Sequence, residues 1–467
     1  MNIRFAAVSR FFSYSIGVVL QIATIILLSL KLELVQFGLW GITVSSVFVL
    51  SVILQLSYSQ NIEKYFPKHN DQEKKFLLIK YIKTILFLTP FVCIFTSLIA
   101  LTDYFSKFEA DNILYVLLMI SFWSILESLL SIFDTYYISI KKSYFYDFSD
   151  LIVYKLFRFI IFYILLNLNY SVYYLIFASI ILRSILFLFL VRDQYKGFLE
   201  LKNYYLRNPI FKNNFINLKY NLTEYINNTI YLSFINILFM TSSYFMEVID
   251  IAHYSYVIII LNNLRPVMNS LPSILTPFIS KPELPLKEEE EFISKFEKLN
   301  QISLALIIAS SLLIVENKYL ITILFQNYFD GIYKLIFLSI FAASIRSIYL
   351  ARYQKILFNE NENKLLKFNI LNSIFNLFIF TILNNFFIVN FIYIYILFEL
   401  FNFIYIYNFH SSFRLFIKQI MNFSKTYLFV IIITFLYFLN IFVFQLIFLI
   451  PFTIYLDTKT KNYFINK

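Results

Sequence analysis

Apolar residues run along the chain in long blocks broken by short charged or proline-containing stretches. The blocks fall near 9–30, 37–60, 78–101, 113–138, 149–167, 171–191, 222–245, 252–278, 299–316, 333–357, 368–384 and 389–408, twelve in all. A hydrocarbon core about 30 Å thick is crossed by roughly 20 helical residues, so each block predicts one membrane-spanning helix. The short alternating segments of a membrane barrel are absent, and a chain in lipid must satisfy its own backbone polar groups, which leaves helices. The predicted fold is all-α and polytopic.

Loop charge sets the orientation and completes the count. With the N-terminus on the cytoplasmic side, the inner segments carry 28 Lys and Arg, and the outer ones carry Lys31, Lys107 and Lys318. Both the 414–425 segment and the tail are basic, so an even number of crossings separates them. The stretch Tyr427–Leu456, with Asn440 near its middle, is therefore read as two short helices. The prediction is about 14 transmembrane helices, twelve in two six-helix lobes plus a short C-terminal pair, with both termini cytoplasmic. The organisation follows: an N-terminal lobe at 1–191, a basic cytoplasmic linker at 192–221, a C-terminal lobe at 222–408, and a terminal pair with tail at 409–467. Two halves joined by a central loop are the layout of repeat-built transporters.

Composition agrees with that frame. Apolar residues make up 60% and charged residues 14%, and the mean hydropathy is +0.72, which no water-soluble domain carries without large exposed apolar patches. A net charge of +11 needs no nucleic acid, because basic cytoplasmic loops beside anionic lipid account for it. The first block follows Arg4 and Arg10 but is too long for a cleaved leader and lacks a small-residue cleavage pattern, so it reads as a retained helix. The single cysteine, Cys93, lies in an apolar block and excludes an intrachain disulfide.

Ionisable residues inside the blocks carry the functional signal. A charge at the bilayer centre costs at least about 2.5–3.5 kcal/mol on insertion scales, so such residues face a wet cavity or a partner. Near mid-span stand Glu127, Arg158, Arg183, Arg265, Arg346 and Glu399, which predicts a net cationic interior. In the fourth block Ser124, Glu127, Ser128, Ser131, Asp134 and Thr135 share one helical face. In the eighth, Asn262, Arg265, Asn269, Ser273 and Thr276 do the same, beside Pro266, Pro272 and Pro277, which free backbone carbonyls and are candidate gating kinks. A structural reading stands beside the functional one: Glu127 can neutralise an arginine of the fifth or sixth helix, and Asp150, Lys155 and Arg158 sit at spacings that permit pairing within their own helix.

Several function classes are excluded by what the chain lacks. There is no phosphate-binding P-loop, dinucleotide loop or nucleophile elbow, and His69, His253 and His410 lie apart. No metal site, cofactor or catalytic residue is expected, and the chain is read as a transporter and not an enzyme. The longest outer loop, about Thr102–Asn112, is too small for a polysaccharide polymerase or ligase. A cationic cavity between two lobes suits a bulky anionic amphiphile, since arginine binds phosphate through a bidentate fork. A multidrug cation antiporter would instead prefer an acidic lumen.

The helix layout, the central basic loop, and Arg10, Gly17 and Gln21 followed by Phe37-Gly38-Leu39-Trp40 resemble the polysaccharide transport family of the multidrug/oligosaccharidyl-lipid/polysaccharide exporter superfamily, the Wzx-type O-antigen flippases. The resemblance implies an inner-membrane flippase for an undecaprenyl-pyrophosphate-linked oligosaccharide repeat, working by ion-coupled alternating access. Membrane lipid, a polysaccharide polymerase and a chain-length regulator would be its partners. It makes Arg10 and Arg265 the candidates for headgroup contact, with Arg183 and Arg346 adding to the lumen charge. Glu127 and Asp134 are candidates for ion coupling on the ground of burial.

Overall fold

A computed structural model of the chain describes residues 3–56, 71–99, 108, 113–140, 142–207, 218–279, 362–386 and 391–410, with single positions at 58, 62, 338, 342, 345, 346, 349, 350, 352, 353 and 356. The elements are α1 (Ile3–Lys31), α2 (Leu34–Leu54), α3 (Asp71–Ile99), α4 (Ile113–Ser139) and α5 (Ser143–Asp147), followed by a π-helical segment Phe148–Tyr154. They continue with α6 (Lys155–Asn167), α7 (Val172–Arg207), α8 (Leu218–Phe245), α9 (Val248–Ile279), α10 (Glu362–Phe386) and α11 (Phe391–His410). Among the described residues the fold is all-helical, and six helices are long and apolar enough to cross a membrane, in α1, α2, α3, α4, α7 and α10. The apolar stretches Val248–Asn263 and Ile392–Ile406 are shorter. The ninth predicted span, most of the tenth and the terminal pair lie outside the described residues.

Lipid-facing surface is plain on the outer helices. Phe87, Phe91 and Ile94 of α3, Ile185 and Leu188 of α7, and Leu371 and Phe378 of α10 are all more than half exposed or close to it, a display that suits acyl chains. Because lipid is as apolar as leucine, burial supplies little drive for helix association, and close packing and polar contacts must do so. The sequence provides for this at α2. Gly41 faces α9, where a side chain would collide with Ser255, so glycine is required for α2 and α9 to lie this close. Phe37 stacks on Tyr256 of α9 at 4.2 Å between ring centroids. Trp40 meets Trp123 of α4 at 5.7 Å and the edge of Phe162 of α6 at 5.5 Å.

α2 is thereby the hub of the molecule. It packs against α4 and α7 on the N-terminal side and against α8 and α9 on the C-terminal side, while α1 also reaches α9. Phe37, Gly38 and Gly41 meet α9 across the two halves, while Trp40 faces α4 and α6. Around this hub one buried cluster spans both halves, and a second gathers Tyr81, Phe133, Tyr137 and Leu190 from α3, α4 and α7.

Two boundaries differ from the sequence expectation. α7 does not stop at the membrane edge but continues to Arg207, into the segment read as a linker. Polar residues there end the apolar block without ending the helix, since Lys, Glu, Leu and Gln are all good helix formers in water. The fifth block begins earlier than 149, as α5, and turns through the π-helical segment before α6, so its side chains are re-phased relative to a regular α-helix.

Candidate functional site

A cavity of about 440 Å³ opens beside the hub, lined from α1, α2, α4, α5, the π segment, α6, α7, α8 and α9, and by Arg346. Its wall carries Trp40 and Trp123 together with a dense set of charges: Glu127, Asp134, Asp150, Lys155, Arg158, Arg183 and Arg346. The polar stripe of α4 divides between two tasks. Ser124 and Ser128 face inward, Ser128 donating to the Ser51 carbonyl of α2 at 2.9 Å, while Glu127, Ser131 and Asp134 point into the cavity. Spacings of four and three residues put the latter three on one edge of the helix.

Three arginines hold five carboxylates. Arg183 of α7 donates from Nε to Glu127 at 2.7 Å and from Nη1 to Asp150, and its guanidinium lies 3.9 Å from the centroid of the Tyr154 ring. Trp123 Nε1 donates to the same Glu127 oxygen at 2.8 Å. Arg10 of α1 lies 3.4 Å from Asp134 and 3.7 Å from Asp147, and it donates to the Tyr14 hydroxyl at 3.1 Å. Asp147 is 0% exposed, and neither of its carboxylate oxygens has a hydrogen-bond partner. On the C-terminal side Arg346 stands 3.8 Å from Glu399, donates to the Tyr231 carbonyl at 3.2 Å and lies over the Tyr231 ring at 3.9 Å. The Tyr349 hydroxyl donates to Glu399.

Among the described residues Lys155 and Arg158 are left without a carboxylate in ion-pair reach. Asp150, which their spacing in the sequence allowed as a partner within the helix, is turned by the π segment toward Arg183 of α7. Arg158 reaches only the hydroxyl of Tyr154, at 3.4 Å, and the rings of Tyr154 and Phe162. The structure also adds Arg10 and Lys155 to the interior cations and Asp134, Asp147 and Asp150 to its acids. Among the side chains described, the interior thus holds five cations and five acids, and Arg265, which the expected net cationic interior also counted, lies outside them.

Other sequence-derived candidates fall as follows. The pairing of Glu127 with an arginine of the sixth span is present, through Arg183. Arg10, Arg183, Arg346, Glu127 and Asp134 all stand at the cavity or one residue behind it. Asn262 of the α9 stripe lines the cavity and exchanges hydrogen bonds with Asn236 of α8, at 2.9 and 3.3 Å. Backbone helix extends through Arg265, Pro266, Pro272 and Pro277, but the side chains of these four lie outside those described. Asp147 was missed: an acid at the start of an apolar block reads as a headgroup-level residue, and nothing in the sequence signals the π turn that buries it. No group of His, Cys, Asp and Glu among the described residues could hold a metal ion.

No protein-family model and no curated sequence matches the chain. Solved structures do. The chain is similar to a MATE transporter in the straight conformation, with a TM-score of 0.56 at 10% identity over 86% of this chain and 93% of that one. It is similar to a MOP superfamily transporter from Pyrococcus furiosus, whose reverse polarity of binding pocket suggests a different function, with a TM-score of 0.58 at 10% identity over 86% and 92%. A multidrug resistance MATE family transporter in the outward-facing conformation gives 0.50 at 10% identity over 86% and 92%. The chain therefore shares the fold of these transporter structures.

Proposed function

We propose that this chain is a multi-pass transporter of a bacterial inner membrane. It flips an undecaprenyl-pyrophosphate-linked oligosaccharide repeat unit from the cytoplasmic to the periplasmic leaflet for O-antigen, capsule or exopolysaccharide synthesis. The observation that carries this reading is the cavity between the two halves, walled by tryptophans and by arginines and a lysine at a depth where charge is costly. A fold shared with transporters supports the transport class, and alternating access moves the two halves against each other around that cavity. Arg265 and the cations of the cavity wall serve the anionic headgroup, while Arg10, Arg183 and Arg346 are each engaged with carboxylates. Glu127 and Asp134 are the ion-coupling candidates: each shares one arginine with a second acid, so that protonation or cation binding relieves an excess of negative charge.

A second reading, a multidrug cation antiporter, is favoured by one feature, the carboxylates of Glu127, Asp134 and Asp150 on the cavity wall. The two separate in a gene deletion analysed for surface glycan and lipid-linked intermediates together. A flippase leaves complete repeat units on the cytoplasmic leaflet and no surface glycan. Normal glycan with raised drug sensitivity establishes the antiporter, and single unpolymerised units at the surface establish a polymerase. Arg265→Ala is expected to abolish export with protein level near normal, and export that persists removes Arg265 from the site.

A further inference from the structure

We infer that Lys155 and Arg158 form the anion subsite of the cavity, taking a phosphate-type oxyanion, an assignment that rests on the flippase reading and sharpens it. The argument is one of elimination by geometry. Arg10, Arg183 and Arg346 are each already held by carboxylates, so the charge they present to a ligand is largely spent. Among the described residues Lys155 and Arg158 have no carboxylate within ion-pair distance, yet both are on the cavity wall. Asp150 and Glu127 act on Lys155 at longer range, but both are committed to Arg183.

The two side chains are built into place. Three residues apart on α6, they share one face of the helix. Gly17 of α1 supplies the room: a Cβ there would stand 3.2 Å from Lys155 Nζ and 3.1 Å from the Leu151 carbonyl. Arg158 is 7% exposed and propped by the rings of Tyr154 and Phe162, contacts that hold the guanidinium without neutralising it. Its Nε is buried with no acceptor. Aromatic rings beneath, an idle N–H in the guanidinium plane and a lysine one turn away form a fork-and-point-charge arrangement suited to phosphate oxygens. Such oxygens belong to a carrier pyrophosphate; an acidic sugar presents a carboxylate instead, and the two can be told apart.

The chain contains two tryptophans, Trp40 and Trp123, and both line the cavity, so intrinsic fluorescence reports binding directly. The purified full-length protein is titrated with inorganic pyrophosphate, geranylgeranyl pyrophosphate, glucuronate and tetraphenylphosphonium. Wild type is expected to bind both pyrophosphates. Lys155→Gln and Arg158→Gln should each weaken that binding about tenfold or more, and Lys155→Arg and Arg158→Lys should retain most of it. Thermal unfolding supplies a readout that a structural role would move the other way: removing an uncompensated cation is expected to leave the ligand-free melting temperature level or higher. A double Gln variant that binds pyrophosphate like wild type, or whose ligand-free fold is destabilised, overturns the subsite and leaves the flippase reading standing. Wild-type binding of glucuronate alone overturns the phosphate assignment. Binding of tetraphenylphosphonium with neither anion overturns both the subsite and the flippase reading.

Discussion

The two halves of the molecule treat buried charge in opposite ways. In the N-terminal half, Arg10 and Arg183 each bridge two carboxylates drawn from different helices, and Glu127, Asp134, Asp150 and Arg183 border open space. In the C-terminal half, Arg346 and Glu399 are 1% and 0% exposed and are closed in by Tyr231, Tyr349 and the stacked Tyr231–Tyr353 pair. Around them Asn227, Tyr353 and Asn369 hydrogen-bond one another, and Asn372 donates to the Phe398 carbonyl at 3.1 Å. The first arrangement has more acid than base at each arginine and access for a ligand or ion. The second is one for one and almost wholly buried, with Arg346 alone reaching the cavity wall. Charges that are over-supplied and reachable can change state in a transport cycle; charges that are matched and buried fix how α8, α10 and α11 pack.

The strongest way to break this comparison is to remove one member of the buried pair. Arg346→Gln leaves Glu399 buried with no cation, and losing one partner of a buried pair costs about 3–5 kcal/mol. The expected outcome is loss of folded protein from the membrane fraction, and the double change Arg346→Met with Glu399→Leu should recover much of it. Folded, monodisperse Arg346→Gln at wild-type yield would place this pair with the functional charges and not the structural ones.

Arg183→Gln makes the matching test on the open side. Glu127 keeps its Trp123 donor and both released acids border the cavity, so the expected cost is smaller, about 1–3 kcal/mol for the unmet hydrogen bonds. Protein should accumulate while export fails. Equal losses of folded protein from Arg183→Gln and Arg346→Gln, measured by thermal unfolding in one detergent, would erase the distinction between the halves.

The sequence carried helix positions further than it carried pairings, for physical reasons. Helix positions from α1 to α9 follow apolar blocks that lipid imposes directly, and the α4 stripe was legible because a regular helix keeps a constant phase. Pairing of Glu127 with an arginine of the fifth or sixth helix is one of two readings the sequence allows, because acids inside an apolar block have few options, and Arg183 is that partner. The π segment was not legible: widening a turn by one residue leaves composition untouched, yet it turns Asp150 to Arg183 and leaves Lys155 and Arg158 with no carboxylate among the described residues. Arg346 and Glu399 were both singled out, but pairing across 53 positions of sequence is a tertiary fact that no local pattern encodes.

Between the halves, the α2–α9 contact is a third test. Gly41→Ala places a methyl against Ser255, and overpacking there should separate the helices that join the lobes. Ser255→Gly opens the space again, so the two changes together should recover roughly 1 kcal/mol relative to the sum of their separate effects. Additive losses would mean that the seam relaxes and that the hub is less tightly fitted than the glycine implies.

The smallest effect is expected within the N-terminal half itself. Ser128→Ala removes the hydrogen bond to the Ser51 carbonyl of α2, but that carbonyl sits in a helix, and the Ser128 hydroxyl is also within 2.8 Å of the Ser124 carbonyl on its own helix. Hydrogen bonds between membrane helices average about 0.6 kcal/mol, because a helix standing alone in lipid finds other partners for its hydroxyls. Ser128→Ala should therefore lower thermal stability by about that amount and leave export intact. A loss of export with stability unchanged would move Ser128 from the packing side of the α4 stripe to the side that Glu127 and Asp134 occupy, and the division of that stripe into a face that holds α2 and a face that meets the cavity would fail.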